Sequence, residues 1–175
     1  KGGDDVDTID KLQILGEGAK YDICASTASQ GCKVPNAAIG RTLPAGCCHS
    51  FTPDGRCISL FKVLMTNYCE KDCTYCPNQT GRDVPRTRFA AEELAALFMD
   101  FYRRNYVEGL FLSSGVRHSA AAAMGEMLKV AEILRRRHRF GGYIHLKILP
   151  GAGDGEIAAA VALADRVSLN MEAPT

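Results

Sequence analysis

Apolar and polar positions along the chain change period several times, and each change predicts an element. Ile9, Leu12, Leu15 and Ala19 recur at helical spacing near the start. Residues 24–56 hold no lasting period and are rich in Gly, Pro, Ser, Thr and Cys, which predicts a long loop. From position 57 an alternation sets in. A mostly apolar run from Ile58 to Asn67 predicts a strand buried on both sides. Phe89 to Asn105 predicts a helix whose stripe is Leu94, Leu97, Phe98, Phe101 and Tyr102. A short strand is expected from Gly109 to Ser114. A second helix follows from Ser119 to Arg139, with Met124, Leu128, Ala131 and Leu134 inward. Tyr143 to Leu149 predicts a third strand. Asp154 is placed to cap a helix running to about Asp165, and Val167 to Glu172 predicts a fourth strand.

Strands separated by single crossover helices predict an α/β fold with a parallel sheet. The closure is open between a flat doubly wound sheet and a partial barrel. Period two puts His145 and Lys147 on one face of the third strand, and Ser168, Asn170 and Glu172 together on the fourth. Ile144, Leu146, Ile148, Leu169 and Met171 take the opposite, helix-packed face. A polar inner face favours a barrel lumen. Its chemistry is expected at the carboxyl ends of the strands, where Cys69, Ser113, Asn170 and Glu172 fall. Residues 1–56 read as an extension of helix and Cys-containing loop, and 57–175 as the partial barrel.

Composition narrows the class without naming a partner. The 175 residues are 46% hydrophobic and 23% charged, ordinary for one globular domain with a sizeable core. A net charge of +1 makes no global case for nucleic acid or for an acidic ligand. No apolar run approaches the roughly 20 residues of a membrane span. Nothing reads as an export leader. Eight cysteines in such a chain predict metal or redox chemistry in a reducing, cytoplasmic setting rather than disulfides. A non-Met start and a stop just after a strand-like run read as a piece of a longer protein.

The densest chemistry is Cys69-Glu70-Lys71-Asp72-Cys73-Thr74-Tyr75-Cys76-Pro77. Spacings of C-x3-C-x2-C on one short loop allow three thiolates to hold a four-iron, four-sulfur cluster with one iron left open. Structural zinc sites use cysteine or cysteine–histidine pairs instead. The alternatives to an enzyme are a zinc-binding nucleic-acid module and an iron–sulfur electron carrier. Cys24, Cys32, Cys47, Cys48 and Cys57 show no C-x2-C pair. Cys47, Cys48 and His49 are a candidate second metal group, and small buried residues or free thiols are the plainer alternative.

C-x3-C-x2-C with an aromatic before the last cysteine resembles the signature of the radical S-adenosylmethionine (SAM) superfamily. Further blocks resemble that superfamily's DNA modification and repair proteins: Lys20-Tyr21-Asp22, Cys48 through Cys57, Leu64 through Cys69, Leu112-Ser113-Ser114-Gly115-Val116 and His145 through Gly151. The resemblance implies a partial barrel of six βα units, of which about four are present. It implies a cluster on Cys69, Cys73 and Cys76, and SAM chelated at the open iron. SAM would be cleaved reductively to a 5′-deoxyadenosyl radical. Tyr75 would lie near the adenine, and Asn170 and Glu172 near the ribose or amino group. Ser113-Ser114-Gly115 stands where the superfamily usually carries a Gly-Gly-Glu-like motif, and its carbonyls and hydroxyls would receive the SAM ammonium. Lys147 is a candidate for an anionic group of SAM or substrate. The implied partners are a reductant protein for the cluster and DNA or a nucleotide-derived substrate.

Two basic groups remain. Arg135-Arg136-Arg137-His138-Arg139 sits at a helix end, where cations complement the dipole, with nucleic-acid contact as the alternative. Arg82, Arg86 and Arg88 follow the cysteines and are placed to meet an anionic substrate at the barrel mouth.

Overall fold

The structure, a computed structural model, describes residues 7–19, 21, 47–51 and 55–170. The elements are α1 (Thr8–Ala19), β1 (Cys47–Phe51), β2 (Cys57–Leu64), α2 (Ala91–Arg103), β3 (Gly109–Ser113), α3 (Ala120–Glu132), β4 (Tyr143–Ile148), α4 (Asp154–Leu163) and β5 (Arg166–Leu169). One sheet has the order β1-β2-β3-β4-β5. Its last four strands are parallel, and β1 is antiparallel to β2. The expected α/β class and parallel sheet are therefore present.

β1 lies inside the stretch expected to be loop. Cys47 pairs with Phe61 and Phe51 with Cys57, so β1 lies antiparallel to β2 on the outer edge. Five residues with little apolar alternation carry no strand period, and the pairing comes from β2's open backbone.

The helices cover one face. Phe61 and Val63 of β2, Leu110 and Leu112 of β3, and Ile144, Leu146 and Ile148 of β4 meet Leu94 and Phe98 of α2 and Met124, Met127, Val130 and Leu134 of the α3 arm. Phe98 meets Phe140 edge-on at 5.0 Å between ring centres. Burying each such side chain contributes about 1.5–3 kcal/mol. Leu12, Leu15 and Ala19 of α1 join the same cluster. Glu93 ties α1 to α2, accepting from Lys11 Nζ at 3.0 Å and Thr8 Oγ1 at 3.2 Å. Every residue of β3 is buried, as expected of a strand flanked on both sides.

Two boundaries and one face assignment differ from the sequence expectation. Ser119 is the cap of α3, accepting from Ala122 N at 3.0 Å, but the helix widens into a π turn over Ile133–Arg137. It ends where Arg139 turns left-handed at φ 52. The cap of α4 is Gly153 rather than Asp154: Glu156 Oε2 accepts Gly153 N at 2.9 Å, which fills the capping role from three residues on. Leu169, expected on the helix-packed face, is 57% exposed, because β5 is the last strand and no described element packs beyond it.

Candidate functional site

The cysteine loop leaves the carboxyl end of β2 through a narrow neck. Thr66 Oγ1 donates to Thr87 O at 2.9 Å and accepts from Tyr68 N at 3.1 Å. The buried Asn67 amide donates to Pro85 O at 2.7 Å and accepts from Thr87 N at 2.8 Å. Phe89 N donates to Met65 O at 3.0 Å, so the outgoing and returning limbs pair across the neck. Between them the loop turns on itself: Cys76 N donates to Cys73 O at 3.0 Å and Thr80 N to Lys71 O at 2.9 Å.

Cys69, Cys73 and Cys76 are in no disulfide, and each is half-buried. The Lys71 N–H points at Cys69 Sγ at 3.5 Å. Among the described residues, no group of three His, Cys, Asp or Glu side chains is gathered closely enough for a single metal ion. A cluster asks something different of its ligands. In a cluster each thiolate would take its own iron, so the ligand set would be three separate thiols on one loop rather than three at a point.

The end of β3 is built into the same site. Met65 N donates to Ser113 O at 2.8 Å and Gly115 N to Thr66 O at 2.8 Å. A Cβ on Gly115 would stand 2.4 Å from Tyr68 O, so only glycine allows this approach to the residue before Cys69. Glu70, between the first two cysteines, donates its N–H to Val116 O at 2.9 Å. Its carboxylate accepts from His118 N at 3.0 Å, and His118 holds a left-handed φ of 65. Arg117 lies over the Tyr68 ring at 5.2 Å. Ser113 is buried, while Ser114 and Gly115 are half-buried beside the loop. The motif after the second parallel strand and the cysteine motif are thus adjacent.

The sheet face opposite the helices carries the polar row. Register aligns Lys62, Phe111, His145 and Arg166 across the four parallel strands. Lys147 pairs with Ser168 one pleat on. Lys62 (7% exposed), Lys147 (4%) and His145 (0%) are all buried. Lys62 Nζ stands 5.2 Å from the Phe111 ring centre, and the His145 ring meets Phe111 edge-on at 4.6 Å. His145 Nε2 and Ser168 Oγ are 2.8 Å apart. Burial, reinforced by the positive charges of Arg166, Lys147 and Lys62, pushes the His145 pKa down to about 3. The imidazole is therefore neutral at physiological pH.

The remaining expected residues are scattered. Asn170 is exposed just past the end of β5, and Glu172 and Met171 lie outside the described residues. Tyr75 is 64% exposed on the loop. Cys24, Cys32, Lys20 and Asp22 are also outside the described residues, as are the side chains of Cys47 and His49.

One arginine expectation is corrected, and the basic run keeps a structural role. Arg86, expected to meet an anionic substrate, turns into the loop instead. Its guanidinium is spent on four backbone carbonyls: those of Asn67, Asn78 at 2.7 Å, Gln79 at 2.6 Å and Arg82 at 3.0 Å. Arg135, in the basic run, turns inward to Leu163 O, Phe140 O, Gly142 O and the Asp165 carboxylate, and Arg136 pairs with Glu132 at 3.4 Å. Neither role has a periodic signature, since both depend on carbonyls that only the folded loops present.

A cavity of about 900 Å³ opens at the amino ends of the strands, lined by Arg56, Ser59, Glu108, Tyr143 and Asp165. A smaller one, of about 450 Å³, lies at the opposite end against Thr66, Arg88, Ser114 and Arg117. The larger is on the wrong side for a parallel sheet, where ligands meet the carboxyl ends of the strands. The cysteine loop, the β3 end and the smaller cavity share the expected end. No protein-family model matches the chain, and no curated protein or solved structure matches it.

Proposed function

We propose that the chain belongs to a radical SAM enzyme whose substrate is DNA or a nucleotide-derived molecule. The observation that carries it is the placement of the C-x3-C-x2-C loop. It follows the first parallel strand at its carboxyl end; Met65 and Thr66, which lead into it, bond to Ser113 and Gly115 at the end of the next strand, and Glu70 within it bonds to Val116. Cys69, Cys73 and Cys76 would hold a four-iron, four-sulfur cluster. When bound, such a group supplies the electron for reductive cleavage of SAM, and the hydrogen abstraction that follows acts on the substrate.

The chain's own residues bind, orient and exclude water. The carbonyls and hydroxyls around Ser113, Ser114 and Gly115 would receive the SAM ammonium. Lys147 on the inner face would meet a carboxylate or phosphate, and Asn170 and Glu172 would reach the ribose. Tyr75 would wall the adenine. In this reading the sheet continues as a partial barrel, with further βα units adding beside β5. The exposed Val161 and Leu169 flank that edge. A separate reductant protein completes the system.

Anaerobic reconstitution with iron and sulfide tests the reading. About four irons per chain, with a spectrum that changes on adding SAM, is the expected result. One tightly held zinc and no iron would overturn it. A cluster that ignores SAM would favour an electron carrier.

A further inference from the structure

The geometry points to Arg86 as the positioning residue of the cysteine loop: its guanidinium, rather than a bound cluster, holds the loop in shape. The inference rests on the cluster reading above for its purpose, but its physical content does not need iron. Asn67 lies on the outgoing limb, just before Cys69. Asn78, Gln79 and Arg82 lie on the returning limb, after Cys76. One planar, permanently charged group therefore bridges both limbs around all three thiols.

The alternative way to shape such a loop is for the metal group to fold it. Here the acceptors are already taken. The carbonyl of Cys73 accepts from Cys76, that of Lys71 from Thr80 and that of Cys76 from Gln79. Arg86 collects four further carbonyls, of which that of Gln79 also accepts from Arg82 N at 3.2 Å. Arginine suits this task, since lysine has only a compact ammonium and cannot span two carbonyls on each of two amino groups. Arg86 is half-buried, so its bonds are screened less than surface pairs. Groups that orient ligands from behind typically change metal affinity about 10- to 100-fold when removed.

The test compares the wild type, Arg86→Ala and Arg86→Lys as purified, iron-free chains and after anaerobic reconstitution. Hydrogen exchange over residues 69–84 reads the loop without metal. Wild type should protect the Cys76 and Thr80 amides, and Arg86→Ala should lose that protection while circular dichroism shows the sheet intact. Iron retention against a chelator should fall about 10- to 100-fold in Arg86→Ala. Arg86→Lys should recover part of both, because it keeps the charge and loses the fork. Should Arg86→Ala fail to fold, Arg86→Lys carries the same two measurements. Unchanged exchange and unchanged iron retention in either folded variant would overturn the proposal. A wild type that takes up no iron while Arg86→Ala opens the loop overturns the cluster reading and leaves the clamp standing.

Discussion

Arg86 and Arg135 use the same chemistry at opposite ends of the sheet. Each sends a half-buried guanidinium to four oxygens. Around Arg135 the acceptors belong to the α3–β4 connection, the end of α4 and Asp165, whose carboxylate also accepts from Ile144 N at 2.7 Å. Those groups join α3, β4 and α4, and no thiol stands among them. Around Arg86 the acceptors belong to one irregular loop with three thiols on it. The first clamp joins elements that already pack through their apolar faces. The second holds a segment with little apolar burial of its own, where few contacts would otherwise resist opening. The same bond set therefore joins packed elements in one place and closes an irregular loop in the other.

Removing a thiol breaks the comparison most severely. Cys73→Ala is expected to abolish iron uptake while the chain stays folded, because the substitution falls on a loop outside the helix-packed core. Cys57→Ala, on β2, should load iron like the wild type. Equal iron in both, measured after anaerobic reconstitution, would remove the cysteine loop from the metal site.

Arg135→Ala sharpens the contrast from the other side. It strips partners from Asp165 and three carbonyls and should cost about 2 kcal/mol in urea unfolding, with partial exposure keeping it below a fully buried pair. Iron per folded chain should not change. A loss of iron at unchanged stability would erase the distinction between the two clamps.

Acid acts on the sheet face opposite the helices. His145 has its pKa lowered from 6.5 to about 3. Below 6.5 the unfolded chain binds a proton that the folded chain refuses, so stability is lost as pH falls towards 3 and is flat above 6.5. The loss between pH 6.5 and 5 should be about 2 kcal/mol. Urea unfolding of His145→Gln over the same range should show a shallower slope. Parallel slopes would place the acid sensitivity elsewhere.

The smallest effect is expected at Arg136, whose side chain is 75% exposed against Glu132. Arg136→Ala should change urea stability by less than about 0.5 kcal/mol. A larger loss would mean the outer arginines of the run share Arg135's structural role.

Much of the architecture is legible in residue order. The stripe of Leu94, Phe98 and Phe101 marks α2 because burial every third or fourth residue has only one regular solution. Alternation through Tyr143-Ile144-His145-Leu146-Lys147 marks β4 and assigns His145 and Lys147 to the inner face. The C-x3-C-x2-C spacing marks the candidate metal loop, since covalent neighbours cannot separate. β1 was not legible, because its strand state comes from pairing with β2 rather than from its own side chains.

Local periodicity and spacing thus determined the helices, the parallel strands, the two sheet faces and the set of three thiols. Tertiary structure alone decided that Gly115 lies against Tyr68, that Glu70 holds His118, and that Arg86 grips the loop instead of facing solvent. Those contacts join residues about 4 to 48 positions apart through backbone carbonyls and amides. Every residue carries such groups, so the sequence holds no mark of which ones will meet. Only the folded path of the chain brings a particular carbonyl within reach of a particular guanidinium.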